Sequence, residues 1–160
     1  MSRVLIIGAG GLGCPASLAL AKDGVASLTL ADPDVVDPTN LHRQPWHRTS
    51  DVGRPKVESA AEKLRAAFPQ LEVRPLRTSV DHSNALELFS KHDLVIDATD
   101  GVLTKFLLSD AGVKTGIPLI HGGVLRMQGQ VMAIAPAGPC LRCLFEAPPA
   151  PDAIPTCAQA

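Results

Sequence analysis

A glycine-rich turn near the N-terminus has the spacing of a phosphate-binding loop. The letters GAGGLG occupy positions 8–13, directly after an apolar run at 4–7 and directly before a stretch with helical spacing. In that context, backbone N–H groups and the positive end of the helix dipole can bind an anion. Asp32 stands nineteen residues beyond Gly13, at the end of a second apolar run, where a carboxylate can accept hydrogen bonds from ribose hydroxyls. Both features favour a nucleotide site.

The turn and the acidic residue leave the reaction open. An NAD-dependent oxidoreductase would use both, because the fold supplies the nucleotide site and does not fix the chemistry. Two segments, NLHRQ at 40–44 and GRPK at 53–56, add arginine and lysine. Hydride transfer does not need these cations beside the phosphates, whereas transfer to an α-phosphate needs them to balance charge as pyrophosphate leaves. Lys56 alone could also be a solvated lysine at a helix start, and Asp32 a solvated loop acid.

The cysteines point to thiol or metal chemistry and not to a disulfide framework. Four unevenly spaced cysteines in 160 residues favour a reducing compartment, so we expect a cytoplasmic protein. Cys140 and Cys143 form a CxxC turn that could supply two of the four ligands of a zinc site, but the sequence has no second pair. A redox dithiol is the alternative. Cys14, inside the first predicted helix, is expected to be a small buried apolar residue.

Composition and charge argue against several classes of function. The net charge of −1 gives no field that would attract nucleic acid or an anionic membrane, and we expect neither as a partner. An uncharged stretch at 4–21 resembles a signal peptide or a membrane span, but four glycines and Pro15 interrupt it. With 46% apolar and only 3% aromatic residues, the core must be built from Val, Ile, Leu and Ala.

Apolar runs and helical spacings alternate along the chain. Strands are predicted at 4–7, 28–31, around 73, 94–96, 118–121 and 130–135, and helices at 13–24, 55–68, 85–90 and 103–113. The polar stretch 32–52 forms a long loop, and His42, His47 and His121 fall in loops or at strand ends without the spacing of a metal site. This order predicts an α/β fold, a Rossmann-like, doubly wound, mainly parallel sheet with helices on both faces. Residues 1–138 would form the nucleotide-binding domain, and 139–160 a CxxC turn with a Pro-rich tail.

The motifs stand together in the order of a known family. The sequence carries GxGGxG at 8–13, LADPD at 30–34, NLHRQ at 40–44, GRPK at 53–56, DATD at 97–100 and the later CxxC. In this combination, across essentially all 160 residues, the chain resembles the MoeB/ThiF family of adenylyltransferases, a branch of the ubiquitin-activating enzyme superfamily. The resemblance implies ATP as the nucleotide and magnesium as its metal. One departure is Gly101, where the family commonly has Asn.

The resemblance also implies roles for individual residues. The glycines expected to approach the ATP phosphates are Gly8, Gly10, Gly11 and Gly13. Asp32 would hold the ribose. The side chains expected around the triphosphate are Asn40, Arg43, Gln44 and Lys56. Asp100 would hold magnesium, in agreement with the position of a carboxylate at the C-terminal end of a central strand. Asp97 is the weaker candidate, because alternation along the strand points it elsewhere.

By the same resemblance, the reaction is ATP-dependent activation of a ubiquitin-like sulfur-carrier protein of the MoaD/ThiS type. The C-terminal glycine carboxylate of the carrier would become an acyl adenylate with release of pyrophosphate. A sulfur donor protein would act next, in molybdopterin or thiamin biosynthesis. Arg43, Lys56 and Asp100 would be the catalytic residues. Cys157 resembles the cysteine of the sulfur-transfer step, and the alternative is an incidental thiol in the tail.

Assembly and completeness follow from the family pattern as expectations. A homodimer is expected. Family members carry an N-terminal helix whose arginine reaches the partner subunit's site, and a second CxxC further along; neither occurs in these 160 residues. Cys140 and Cys143 would thus be half a zinc site. A non-catalytic fragment of an adenylyltransferase is therefore a third hypothesis.

Overall fold

A six-stranded sheet forms the centre of the molecule in the computed structural model, which describes residues 2–125 and 127–149. Its strands are β1 (Arg3–Ile7), β2 (Ser27–Ala31), β3 (Glu72–Leu76), β4 (Leu94–Asp97), β5 (Leu119–Leu125) and β6 (Gln128–Ile134). Their order is β3-β2-β1-β4-β5-β6, with the first five parallel and β6 antiparallel to β5. The strand order reverses between β1 and β4, which in open α/β sheets places a ligand crevice at their carboxyl ends.

Helices cover both faces of the sheet, as the predicted Rossmann-like class requires. They are α1 (Gly13–Lys22), α2 (Lys56–Ala67), α3 (Ala85–Ser90), α4 (Val102–Thr115) and α5 (Leu141–Leu144). Val4 and Ile6 belong to a buried cluster with α1 and α2, whereas Leu5 and Ile7 belong to another with α3 and α4. Because successive side chains of a strand point to opposite faces, β1 is buried on both, which explains its uninterrupted apolar run. The predicted fold class is confirmed.

The uncharged stretch at 4–21 folds as a strand, a turn and a helix. β1 ends at Ile7 and α1 begins at Gly13, with the glycine turn between them. Its apolar side chains serve the core, and Leu5 and Ile6 are fully buried. Within the described ranges, no helix is both long and apolar enough to cross a membrane.

The β5–β6 hairpin and the CxxC segment differ from the sequence-based expectation. β5 extends to Leu125 and β6 begins at Gln128, so His121 lies inside a strand and not at its end. Glycines at 122 and 123 concealed the extension because glycine has little strand preference, whereas pairing with β6 as far as Leu125 supplies it. The predicted CxxC turn begins the short helix α5. The loop predicted at 32–52 is irregular apart from two 3-10 turns, Pro38–Asn40 and Thr49–Asp51.

Candidate nucleotide-binding site

The glycine turn is packed so closely that two of its positions exclude any side chain. Gly8 has φ +100°, and a Cβ there would lie 2.6 Å from the carbonyl oxygen of Ala98. A Cβ on Gly13 would lie 1.8 Å from the carbonyl oxygen of Gly8. These contacts join β1, the start of α1 and the loop after β4 without intervening side chains. The turn thus stands at the point where the strand order reverses.

Arg43 and Gln44 lie against the other two glycines. A Cβ on Gly11 would meet the Arg43 side chain at 3.6 Å, and a Cβ on Gly10 would meet the Gln44 amide nitrogen at 3.6 Å. The Arg43 guanidinium donates to the Asn40 side-chain oxygen over 2.7 Å. The long loop therefore brings together Asn40, Arg43 and Gln44, three of the four side chains that the family resemblance places around a triphosphate. A cation, a buried amide and a glycine turn form a surface suited to phosphate.

Gln44 carries an unsatisfied polar atom in this surface. Its side chain is 2% exposed, and its Oε1 has no hydrogen-bond partner among the described residues. Buried polar atoms are rarely left without a partner. The amide nitrogen of the same side chain lies beside the Cβ position of Gly10. An unpaired acceptor on this amide is what a site would show if a ligand group or an ordered water completes it.

Asp32 is held by the backbone of the glycine turn. It is 6% exposed, and its carboxylate accepts hydrogen bonds from the N–H of Ala9 over 2.7 Å and of Asp34 over 2.8 Å. The carboxylate thus fixes the turn relative to the end of β2. Each oxygen keeps a second lone pair, so both can accept a further hydrogen bond from a hydroxyl group.

Lys56 is the first residue of α2 and is ion-paired with Asp34. Its Nζ donates to the Asp34 carboxylate over 2.8 Å, and the lysine is only 7% exposed. The two residues are neighbours because Val35 bridges to Pro55 and the Val36 N–H donates to the Arg54 carbonyl. The reading of Lys56 as a solvated lysine is therefore wrong. The partner of Lys56, Asp34, stands in the LADPD segment, but nothing in the sequence pattern indicates that these two residues meet.

A network behind the loop joins it to α2. His47 is buried and contacts the Ala9 carbonyl over 3.3 Å and the Ser59 hydroxyl over 3.0 Å. Lys63 donates to Ser59 over 3.0 Å and pairs with the buried Asp51. These contacts connect the glycine turn, the loop and α2, and they hold the loop in place beside the turn. His47 is thus a loop residue, as expected, with a structural task that the sequence did not reveal.

Asp51 gives this network a pH dependence. Burial acts to raise the pKa of the Asp51 carboxyl, but hydrogen bonds from Lys63 and the Arg48 N–H outweigh burial and lower the pKa to about 2. A carboxyl whose pKa is lower in the folded state stabilises the fold at pH values above its unfolded-state pKa of about 3.9. This contribution is lost as the pH falls through the folded-state pKa. We therefore expect the stability advantage of the native protein over Asp51→Asn to be constant above about pH 5 and to shrink between pH 4 and 2. Urea unfolding at several pH values measures it, and a pH-independent difference would contradict the assignment.

Asp97 and Asp100 have different environments at the end of β4. Asp97 is 1% exposed and accepts hydrogen bonds from Thr99, Lys105 and His121. Burial acts to raise its pKa, but these donors outweigh burial and lower it. Asp100 is exposed in the following loop. The Asp97 oxygens are thus already occupied by protein donors, whereas the Asp100 carboxylate is exposed, and Asp100 as the metal ligand stays a prediction.

The CxxC cysteines are close enough to share one ion. The two sulfurs of Cys140 and Cys143 lie 3.8 Å apart, which matches the sulfur separation of about 3.8 Å in a tetrahedral site with Zn–S bonds of about 2.3 Å. Among the described residues, no group of three or more His, Cys, Asp or Glu side chains could hold a metal. The spacing of the pair is compatible with two zinc ligands, and zinc binding stays a prediction. Cys157 lies outside the described residues.

The thiols of Cys14 and Cys140 differ in burial and in the direction of their pKa shifts. Burial raises the pKa of the Cys14 thiol to about 12, and Cys14 is 1% exposed, as predicted for a buried apolar residue. Burial acts to raise the pKa of Cys140 too, but the N–H groups of Cys143 and Arg142 outweigh it and lower the pKa. At pH 8 we expect iodoacetamide to alkylate Cys140 and Cys143 at least about 100-fold faster than Cys14, because the thiolate is the nucleophile. Peptide mass spectrometry resolves each site, and equal labelling would contradict the burial of Cys14.

Comparisons with known proteins identify the family of the chain. The model of the ThiF family matches residues 1–160. The SAMP-activating enzyme E1 of Haloferax volcanii is 46% identical over 157 residues, covering 98% of this chain and 58% of that protein. The adenylyltransferase and sulfurtransferase uba4 of Aspergillus terreus is 46% identical over 167 residues, covering 99% of this chain and 34% of that protein.

A solved structure extends the comparison to three dimensions. The E. coli tRNA N6-threonylcarbamoyladenosine dehydratase TcdA, in complex with ATP, matches with a TM-score of 0.73 and 33% identity over 78% of this chain and 54% of that chain. In each of the three comparisons the chain spans less than two thirds of the relative's own length. The family match nevertheless covers every residue of this chain. The chain belongs to the ThiF family.

Proposed function

We propose that this chain is the ATP-binding part of an adenylyltransferase that activates the C-terminal carboxylate of a ubiquitin-like carrier protein. The observation that carries the proposal is the placement of Arg43 against Gly11 and of Gln44 against Gly10. A glycine turn alone serves any nucleotide enzyme, but an arginine whose side chain packs on that turn is placed to stabilise negative charge on a leaving phosphate. The names of the relatives as SAMP-activating E1 and adenylyltransferase support the same reaction.

The proposed chemistry needs no nucleophile from this chain. The carrier carboxylate attacks the α-phosphorus of ATP, the bond to the bridging oxygen breaks, and pyrophosphate leaves with the electron pair. Arg43 and Lys56 stabilise the negative charge that moves onto the leaving group. Asp32 orients the ribose, and the glycine turn lets the backbone approach the phosphates. The product is an acyl adenylate.

Asp100 is suited by its exposure and position to be a magnesium ligand. Magnesium keeps several waters and takes few protein carboxylates, so an exposed carboxylate at the carboxyl edge of the sheet suits it better than the saturated Asp97. When bound, magnesium would neutralise charge on the phosphate oxygens. Cys140 and Cys143 fit one edge of a zinc tetrahedron, and zinc there would fasten the start of α5.

The finer assignments rest on the family resemblance. We assign the carrier to the sulfur-carrier type, ending in glycine, with a sulfur donor protein acting after adenylation in a molybdopterin- or thiamin-type pathway. We propose that Cys157 takes part in that later step. We also propose that the protein is a homodimer and that the reaction takes place in the cytoplasm. Named relatives that combine adenylyltransferase with sulfurtransferase support the sulfur branch.

Trapping the adenylate tests the proposal. The chain, and a version extended at both ends, would be incubated with ATP, magnesium and a carrier ending in Gly-Gly. We expect intact-protein mass spectrometry to show an AMP adduct on the carrier, and none on the same carrier with an amidated C-terminus, which lacks the attacking carboxylate. The absence of an adduct with both versions would sink the proposal. Oxidation of a substrate with NAD would favour the oxidoreductase alternative.

A further inference from the structure

A buried ionic cluster lies directly beneath the loop that carries Asp100. Its members are Asp97 at the end of β4, Lys105 on α4 and His121 on β5, with 1%, 8% and 2% exposure. The Lys105 ammonium lies 3.1 Å from one Asp97 oxygen, and the His121 Nδ1 lies 2.8 Å from the same oxygen. The proposed chemistry uses none of these three side chains directly.

The hydrogen bonds of the cluster are nearly complete. Lys105 also donates to the Gly122 carbonyl over 2.6 Å. The His121 Nε2 lies 3.1 Å from the side-chain nitrogen of Gln130, and the His121 Nδ1 lies 2.8 Å from Asp97. The cluster thus joins a carboxylate, a lysine and an imidazole through direct contacts. Buried ion pairs seldom add stability over apolar side chains of the same volume, so a geometric role is the better explanation for this one.

The cluster lies where the ends of β1 and β4 meet the middle of β5. Asp97 is in register with Ile7 of β1 and with His121 of β5. The next residue, Ala98, donates its N–H to the Ile7 carbonyl over 2.8 Å, and its own carbonyl oxygen lies against Gly8. Lys105 reaches this position from α4 and also donates to the Gly122 carbonyl, so it connects α4 to β5. A shift of Asp97 would therefore move the loop after β4 relative to the glycine turn.

The loop after β4 depends on Asp97 for its side-chain anchors. Thr99 donates to Asp97 from its N–H over 3.0 Å and from its hydroxyl over 2.7 Å. Gly101 occupies the N-cap of α4, where no side-chain cap hydrogen bond exists. Among the described residues, the hydrogen bonds that tie this loop through a side chain all end on Asp97. Asp100 lies between Thr99, which Asp97 anchors, and Gly101, which no side chain caps.

We propose that Asp97, Lys105 and His121 act as positioning residues that hold Asp100 in the geometry required for magnesium–ATP, with Lys105 as the member that keeps Asp97 in place. This inference rests on the proposed function, because it assumes that Asp100 meets the metal. Lys105 neutralises the buried carboxylate and directs its oxygens toward Thr99. Without the ammonium, the Asp97 side chain must turn toward water or take up a proton, and the loop loses its anchor.

The test separates nucleotide binding from the contribution of the metal. Trp46 is the single tryptophan and donates to the Cys14 carbonyl over 2.9 Å, next to the glycine turn, so its fluorescence can report ATP binding. ATP affinity would be measured with and without magnesium, alongside thermal unfolding. For Lys105→Met we expect ATP affinity without magnesium within about 3-fold of the native value. We expect the magnesium-dependent gain to fall by at least about 10-fold, as for other residues that orient metal ligands.

Two further variants control for charge and folding. Lys105→Arg keeps a cation able to donate to Asp97 and should restore most of the magnesium gain. Arg3→Met removes a cation that pairs with Asp93 just before β4, at the opposite end of the sheet, and should leave the gain unchanged. If Lys105→Met does not fold, the charge-balanced double variant Asp97→Asn with Lys105→Met takes its place, with the same expected loss.

Three results would overturn the inference. A full magnesium gain in Lys105→Met would do so, as would equal losses of ATP affinity with and without magnesium, or an arginine variant as damaged as the methionine variant. These results are distinguishable from failure of the proposed function. If the native chain binds magnesium–ATP but forms no acyl adenylate, the proposed function is wrong. The magnesium-dependent gain in ATP affinity of the variants still tests the positioning role in that case.

Discussion

Replacing Asp100 with Ala is expected to lower the rate of acyl-adenylate formation by at least about 100-fold. A carboxylate that holds magnesium on the phosphates contributes several kcal/mol to the stabilisation of charge in the transition state. Since Asp100 is exposed and outside the core, its loss should not unfold the chain. The rate would be followed by rapid quenching and mass spectrometry of the carrier.

The matched control for this prediction is Asp110→Asn on α4. Asp110 is a partly exposed carboxylate in the second half of α4, and it is paired with Arg142. Its replacement should leave adenylate formation near the native rate, because the α4 N-terminus and Asp97 are untouched. If Asp100→Ala were no slower than Asp110→Asn, Asp100 would not be a metal ligand in this reaction.

Replacing Gly13 with Ala is expected to destabilise the fold by about 3 kcal/mol and to abolish ATP binding. The added Cβ would lie 1.8 Å from the Gly8 carbonyl oxygen, a backbone atom that cannot move aside as a flexible side chain would. The first turn of α1 must then separate from β1, with a cost at or beyond the upper end of the range for overpacked cores. Urea unfolding and Trp46 fluorescence measure the two effects.

Two other glycines serve as controls for Gly13. Gly24 has φ +82° with nothing within 4 Å of its Cβ position, so Gly24→Ala should cost only about 1 kcal/mol of backbone strain and leave ATP binding intact. Gly10→Ala meets only the Gln44 amide at 3.6 Å. It should fold normally but weaken ATP binding, because the methyl group occupies space that the phosphates need. Equal stability of the three variants would show that the turn is less tightly packed than the structure indicates.

The fold could be predicted from local patterns because they coincide with the tertiary arrangement. The uninterrupted apolar run of β1 indicated burial on both faces, and its position before GAGGLG indicated the turn and α1. The prediction failed where local preference and tertiary pairing disagree. β5 was cut short at His121 because two glycines follow, whereas its pairing with β6 carries it to Leu125.

The candidate site could be predicted only in part. Arg43 and Gln44 were found through the family motif, and the structure brings them to the glycine turn. The ion pair of Lys56 with Asp34 and the cluster around Asp97 were missed. Their partners are separated by many residues in the sequence, and their meeting depends on strand register and on the course of the long loop. No spacing rule contains that information.

ATP–pyrophosphate exchange is the most direct measurement of whether this chain forms an acyl adenylate. The reaction would contain the chain, ATP, magnesium, labelled pyrophosphate and a carrier ending in Gly-Gly, and the parallel reaction would contain the carrier with an amidated C-terminus. We expect label to enter ATP only with the free carboxylate, because reversal of adenylation requires the acyl adenylate. Exchange with both carriers, or silence from both this chain and a version extended at its two ends, would contradict the proposed reaction.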